Sequence, residues 1–384
     1  MTRAWPVALV PLALLALIAG AFLTLRPLDQ LTGNVPPVET LVVERTALGP
    51  DGISVWVRAG GSAPLSIAQV QVDGAYWQFE QTPPGLLARL AAARIDIPYP
   101  WVEGETHHLV FVTSTGTSFE HTIDVAAPTP APSTAYLVLY GAVGLLVGLV
   151  PVALGMMFYP VLRGAGRRAL EFVLALTIGL LAFLLVDTLK EGLEVAAGAA
   201  SSFQATAVVW LAALVTFVTL VVLGRRGGRA PAGVALATFI ALGIGLHNLG
   251  EGLVIGASFA TGEVALASFL VVGFTLHNVT EGIGIAAPLV EARPRLRVFA
   301  LLAALAGLPA VFGTWGGAFA FSPHWAALCF GIGAGAILQV VVEVAAYLHR
   351  QASRVGDSAL SGTTLAGFAG GLFLMYATAL LVST

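Results

Sequence analysis

The chain has 384 residues, of which 57% are hydrophobic and 10% charged, and its net charge is -3. So little charged surface excludes an ordinary soluble fold of this length, and the near-neutral balance gives no electrostatic footing for nucleic acid. The single cysteine, Cys329, excludes both a disulfide framework and a cysteine-built metal cluster within one chain.

Residues 5–25 form an apolar run behind Met1-Thr2-Arg3, long enough to cross a hydrocarbon core of roughly 30 Å. The segment 1–26 reads as a membrane anchor, with a cleaved signal peptide as the alternative because Ala19-Gly20-Ala21 resembles a small-residue cleavage site. The character then changes: 11 of the 21 acidic residues fall in 27–131. Short apolar-polar alternations occur at 53–57, 67–72 and 109–112, with turn signals at Gly49-Pro50-Asp51-Gly52, Asp73-Gly74 and Pro83-Pro84-Gly85. Period-two alternation between such turns predicts a small β-sandwich. The Pro-Thr-Pro-Ala-Pro run at 128–132 reads as a stiff linker.

The remaining segment, 132–384, contains eight apolar stretches of spanning length, near 135–161, 169–193, 203–223, 232–259, 264–290, 297–320, 325–348 and 362–383. Arginines mark alternate loops: Arg163, Arg167 and Arg168; Arg225, Arg226 and Arg229; Arg293, Arg295 and Arg297; Arg350 and Arg354. The loops near Ala197, Thr261 and Ser322 carry no lysine or arginine. The positive-inside rule therefore puts the basic loops and Arg3 in the cytoplasm, and the β-rich domain and C-terminus outside. The expected fold is an all-α polytopic bundle of eight helices, with an N-terminal anchor helix and a small extracytoplasmic β-sandwich-like domain.

An ionisable group at the centre of a bilayer costs about 2.5–3.5 kcal/mol on insertion scales, so each one inside a span is a functional candidate. The fourth span contains Gly245-Leu246-His247-Asn248-Leu249-Gly250-Glu251-Gly252, and the fifth Thr275-Leu276-His277-Asn278-Val279-Thr280-Glu281-Gly282. In both, His and Glu stand four residues apart on one helix face, near mid-span. Two antiparallel helices carrying this motif at one depth can gather His247, Glu251, His277 and Glu281. Mixed imidazole and carboxylate donors suit Zn²⁺, Fe²⁺ or Mn²⁺ better than Mg²⁺ or Ca²⁺. The flanking glycines, Gly245, Gly250, Gly252, Gly282 and Gly284, permit close helix approach or local unwinding.

Other polar groups in the spans carry separate readings. Asp187, Glu191 and Glu194 near the outer end of the second span form either an acidic funnel for cations or an ion pair with Lys190. Gln339 and Glu343, four apart in the seventh span, are candidates for an exit-side ligand or relay. His107, His108 and His121 in the β-domain have no ligand spacing, and His324 and His349 read as interfacial.

The doubled His-Asn-x-x-Glu-Gly motif, in the fourth and fifth of eight spans, resembles the ZIP family of zinc and iron transporter proteins over roughly 135–384. The resemblance implies eight spans with both ends outside, and a path between these two helices that delivers divalent cations to the cytoplasm. It implies metal-site roles for His247, Asn248, Glu251, His277 and Glu281, and places Asn278 on a site position that varies. Asp187 and Glu191 resemble the polar pair ending the family's second helix, and Glu343 its seventh-helix acidic residue. The family's sixth-helix Glu has no counterpart in Ala306-Gly307-Leu308-Pro309-Ala310, so a binuclear centre is not expected. The long His-rich loop of many eukaryotic members is absent too, as only 224–231 joins the third and fourth spans. The expected substrate is a divalent transition metal, zinc first and iron or manganese next, with no organic cofactor. Metal ions and membrane lipid are the expected partners, a homodimer is left open, and nucleic acid is not expected. No enzyme activity is expected, since His-Asn-x-x-Glu differs from the His-Glu-x-x-His of zinc hydrolases. A non-conducting metal sensor or binding protein is the alternative to a transporter.

Overall fold

The computed structural model describes residues 5–25, 38–225, 231–261, 263–290, 292–354 and 356–383. Arg3, Arg226 and Arg229 of the basic clusters lie outside them. The chain divides into two compact units, Met1–Val38 and Glu39–Thr384. In the first, residues Trp5–Leu25 form helix α1, 21 residues long.

The second unit begins with eight strands: β1 Leu41–Gly49, β2 Gly52–Ala59, β3 Ile67–Val72, β4 Ala75–Trp77, β5 Glu80–Thr82, β6 Ala92–Ile97, β7 His107–Thr113 and β8 Ser118–Ile123. They form two four-stranded antiparallel sheets, ordered β1-β2-β6-β5 and β4-β3-β7-β8. Alternation buries Val55, Val57, Ile95 and Ile97 of one sheet against Val70, Val72, Leu109 and Phe111 of the other, in a single core. The Asp73-Gly74 signal is a two-residue hairpin turn between Val72 and Ala75, with both residues at positive φ.

Eight long helices follow. These are α2 Thr134–Gly164, α3 Arg167–Ala197, α4 Ala205–Gly224, α5 Val234–Ala260, α6 Val264–Ala286, α7 Leu296–Ala320, α8 Pro323–Arg354 and α9 Gly362–Ser383. All are long and apolar enough to cross a membrane, so the chain is a multi-pass membrane protein. Helix α2 is interrupted by a π-helical turn at Leu145–Leu149, just before Pro151. Polar contacts tie the arginine-bearing ends together: Arg167 pairs with Asp357, and Arg350 donates to the Pro231 carbonyl.

Glycines set the helix spacing. A methyl added at Gly155 would stand 1.9 Å from the Val279 carbonyl oxygen, one at Gly282 2.2 Å from that of Val152, and one at Gly252 2.3 Å from that of Ala310. Helices α2, α5, α6 and α7 thus touch backbone to backbone. Toward α3 and α8 the contacts differ: Gly243 first meets the Val340 side chain, Gly250 the Phe330 ring and Gly284 the Thr177 side chain.

The strands and helices belong to one unit because β1 is docked on the helix ends. A register shift between Val43 and Arg45 places a bulge at Glu44 and breaks the alternation there. The Arg45 guanidinium donates to the Phe319 carbonyl at the end of α7 (2.6 Å). Glu44 binds Arg58 and lies 3.5 Å from His324 at the start of α8. Ser202, between α3 and α4, donates to the Gly60 carbonyl. The expected stiff linker is also fastened, since Thr129 exchanges hydrogen bonds with Leu48 of β1 (2.9 and 3.0 Å).

At the β3–β4 turn the Asp73 carboxylate accepts from the His108 backbone N–H, the His107 ring and the Tyr99 hydroxyl, each at 2.8 Å. Burial pushes the Asp73 pKa up, but these three donors outweigh it and hold the group below its ordinary value. The same bond to Asp73, with burial adding to it, pushes the Tyr99 pKa up to about 12. Tyr99 therefore contributes stability that is full below about pH 10, its ordinary pKa, and is lost as pH rises through about 12. In Asp73→Asn the Tyr99 titration is expected to fall back toward its ordinary range, followed by the ring ¹³Cζ shift in NMR; an unmoved midpoint would contradict the assigned cause.

Candidate metal centre

His247 is the central residue of α5, and His277 lies two residues past the centre of α6. Both helices run unbroken through their motifs, so the flanking glycines serve close approach and not unwinding. The helices are consecutive and antiparallel, so the i, i+4 geometry that stacks His on Glu within each motif points the two motifs in opposite directions. The result is unequal. His247 Nε2 and His277 Nε2 both reach the same oxygen, Glu251 Oε1, at 3.0 and 2.6 Å.

His247, Glu251 and His277 each offer one donor atom, and the three atoms lie within 4.8 Å of one another. All three residues are buried, with 1–6% of their surface exposed. Neighbouring donors around a tetrahedral zinc stand about 3.3 Å apart, so sub-ångström to ångström adjustments would enclose an ion. Each Nε2 approaches Glu251 by donating its proton, and an ion between them would take the place of those protons. Among the described residues this is the only group of three or more histidine, cysteine, aspartate or glutamate side chains so gathered.

Glu281 does not join that trio. It is buried beside it, and neither of its carboxylate oxygens has a hydrogen-bond partner in the protein. The Oδ1 atoms of Asn248 and Asn278 are likewise buried and unpartnered. Leaving an ionised carboxylate this way costs several kcal/mol, which a divalent cation would offset. Two imidazole nitrogens, carboxylate oxygens and amide oxygens are a borderline donor set that fits a transition metal.

The asparagine amides have structural work of their own. Asn248 Nδ2 donates to the Ala306 carbonyl of α7 and Asn278 Nδ2 to the Val147 carbonyl of α2, both at 3.0 Å. Val147 lies in the π-helical turn, and Pro151, four residues on, has no N–H to give it. Asn278 therefore donates to a carbonyl whose α-helical donor position is a proline, and this ties α6 to α2. Its Nδ2 also lies 3.3 Å from Glu251 Oε2.

Around the trio, Thr188 of α3 holds His247 through Nδ1, at 3.0 Å, so that Nε2 faces Glu251. The sequence reading passed over Thr188, although a hydroxyl between Asp187 and Glu191 in an apolar span was a signal for it. Asp187 and Glu191 flank it within one helical turn and are half-buried. Glu194 instead pairs with Lys190 at 3.6 Å, both side chains being well exposed. The ion-pair reading holds for Glu194 with Lys190, while Asp187 and Glu191 stand at the depth of His247 and not at the outer end of α3. Gln339 and Glu343 are wholly buried in α8, apart from the trio, and Glu343 Oε1 accepts from Arg225 at 2.9 Å.

The remaining histidines are dispersed. His107 binds Asp73, His108 Nδ1 lies 3.1 Å from Thr122 Oγ1, and His121 Nε2 lies 3.1 Å from Thr46 Oγ1. His324 stacks on Phe203 where the sandwich meets the helices, and His349 is exposed. No family model and no curated protein matches the chain.

Asn278→Ala is expected to orphan the Val147 carbonyl and destabilise the chain by about 1–3 kcal/mol, seen as a lower unfolding midpoint in detergent. Asn278→Gln would lose less if its longer amide still reached that carbonyl.

Proposed function

We propose that the chain carries a divalent transition metal ion of the Zn²⁺, Fe²⁺ or Mn²⁺ class across a cell membrane toward the cytoplasm, as the ZIP resemblance implies. The observation that carries the proposal is the convergence of His247 Nε2 and His277 Nε2 on Glu251 Oε1 at the middle of two spanning helices. Beside them, Glu281 has both oxygens unpartnered. Buried unpartnered oxygens next to paired imidazoles are a costly arrangement for a purely structural core and a natural one for a cation cradle.

The ion is the substrate, and no bond is made or broken. It approaches from the Ala197 end of α3 and reaches Glu191 and Asp187, whose carboxylates flank Thr188 at the level of the trio and attract cations. His247, Glu251 and His277 form the first coordination, with Glu281 and the Asn248 and Asn278 carbonyls within the same buried layer. The absence of an acidic side chain at 306–310 of α7, together with the use of the Ala306 carbonyl by Asn248, supports one ion rather than two. The arginine-rich ends of the helices support a cytoplasmic assignment for that side, with the sandwich and C-terminus outside a cell membrane.

Proteoliposomes loaded with a fluorescent chelator test this with Zn²⁺, Fe²⁺, Mn²⁺ and Cd²⁺. Saturable uptake is expected for wild type, and His277→Ala should lower it at least about tenfold. Metal bound by the purified chain without any flux would make the protein a non-conducting sensor and end the transport reading.

A further inference from the structure

Helix levels can be matched across the bundle. A methyl at Gly333 of α8 would lie 3.4 Å from His247 Cα, so Gly333 stands level with the trio. At 1.5 Å per residue, Gln339 is then about 9 Å and Glu343 about 15 Å from that level, toward the arginine-bearing end. Between lie Leu181 and Leu184 of α3, Ile240 and Ile244 of α5, and Ile337 and Val340 of α8, all buried in one apolar cluster. A bare cation has no ligand among them.

Gln339 is fully buried in this layer, and neither atom of its amide has a hydrogen-bond partner. Glu343, one turn further, is also fully buried; Oε1 takes the Arg225 guanidinium, while Oε2 is unpartnered. Three unpartnered polar atoms one turn apart, those of Gln339 within the apolar layer and that of Glu343 past it, make a second oxygen-bearing site. Arg225 is unlike its partner, because its side chain is 46% exposed against 0% for Glu343. It reaches in from just past the end of α4 to fill the site with the protein's own charge.

We propose that Arg225 is a tethered counter-cation that closes the exit-side pair Glu343 and Gln339 by competing with the transported ion. The inference rests on the transport reading. An ion passing the apolar layer meets Gln339, then displaces Arg225 from Glu343. When the ion leaves, the guanidinium returns, so the buried carboxylate is never left unpaired and the ion is discouraged from rebinding.

The test separates this from the transport reading by measuring binding first. In full-length protein carrying His247→Ala and His277→Ala, which removes the trio, ⁶⁵Zn²⁺ binding is measured by equilibrium dialysis. Adding Arg225→Gln, or Arg225→Met as a second neutral variant, should tighten binding at least about tenfold; Arg225→Lys should not, and adding Glu343→Gln should erase the gain. Unchanged affinity in a neutral variant that elutes monodisperse would overturn the proposal and leave Arg225 a structural anchor. In vesicles, Arg225→Gln should raise back-flux from the cytoplasmic face severalfold. If wild type shows no flux while the binding gain appears, Glu343 and Gln339 stand as a second metal site gated by Arg225, and both the release role and the transport reading fail. If wild type conducts and no gain appears, the latch fails alone.

Discussion

One carboxylate oxygen shared by two imidazoles governs this bundle. Glu251 Oε1 lies 3.0 Å from His247 Nε2 and 2.6 Å from His277 Nε2, and all three residues are buried. An unmatched ionisable group is costly there, and much of the matching comes from neighbouring helices. That requirement explains the surrounding details: Thr188 on the far nitrogen of His247, the Asn278 amide near Glu251 Oε2, and the seating of α5 and α6 on neighbours through glycine contacts.

Identical motifs do not give identical roles here. On antiparallel helices each His-to-Glu step runs the opposite way across the membrane, so Glu251 collects both imidazoles while Glu281 collects none. A symmetric sequence pair becomes an asymmetric cluster, with one carboxylate paired to both imidazoles and one unpartnered. The asparagines show the same division, each amide nitrogen serving the fold through a carbonyl on another helix and each Oδ1 left unpartnered.

Much of this was legible in the chain. Apolar length alone gave the eight spans, period-two alternation gave the β-rich segment, and Asp73-Gly74 gave its hairpin. The depth of the two motifs followed from their place within their spans. What escaped depends on contacts between segments far apart in sequence. Arg225 counted only as a loop charge, because its pairing with Glu343 joins residues 118 positions apart. The role of Asn278 depends on Pro151 removing a donor from another helix, and the bulge at Glu44 has no compositional mark. The glycines read equally well as unwinding or close packing, and only the unbroken course of α5 and α6 distinguishes the two.

The glycine contacts also divide the bundle by how freely its sequence can drift. At Gly155, Gly252 and Gly282 an added methyl would meet a carbonyl oxygen at 1.9–2.3 Å, and main chain has no rotamer by which to yield. At Gly250 and Gly284 the obstacle is a phenylalanine or threonine side chain, which a compensating change could shorten or turn aside, whereas at Gly243 the Ala336 carbonyl oxygen at 3.1 Å stands beside the Val340 side chain. The walls that α5 and α6 share with α2 and α7 therefore admit no substitution without moving a helix. Around Gly250 and Gly284 the walls facing α8 and α3 can be re-cut by paired changes, leaving room there for the lining to diversify while the frame stays constant.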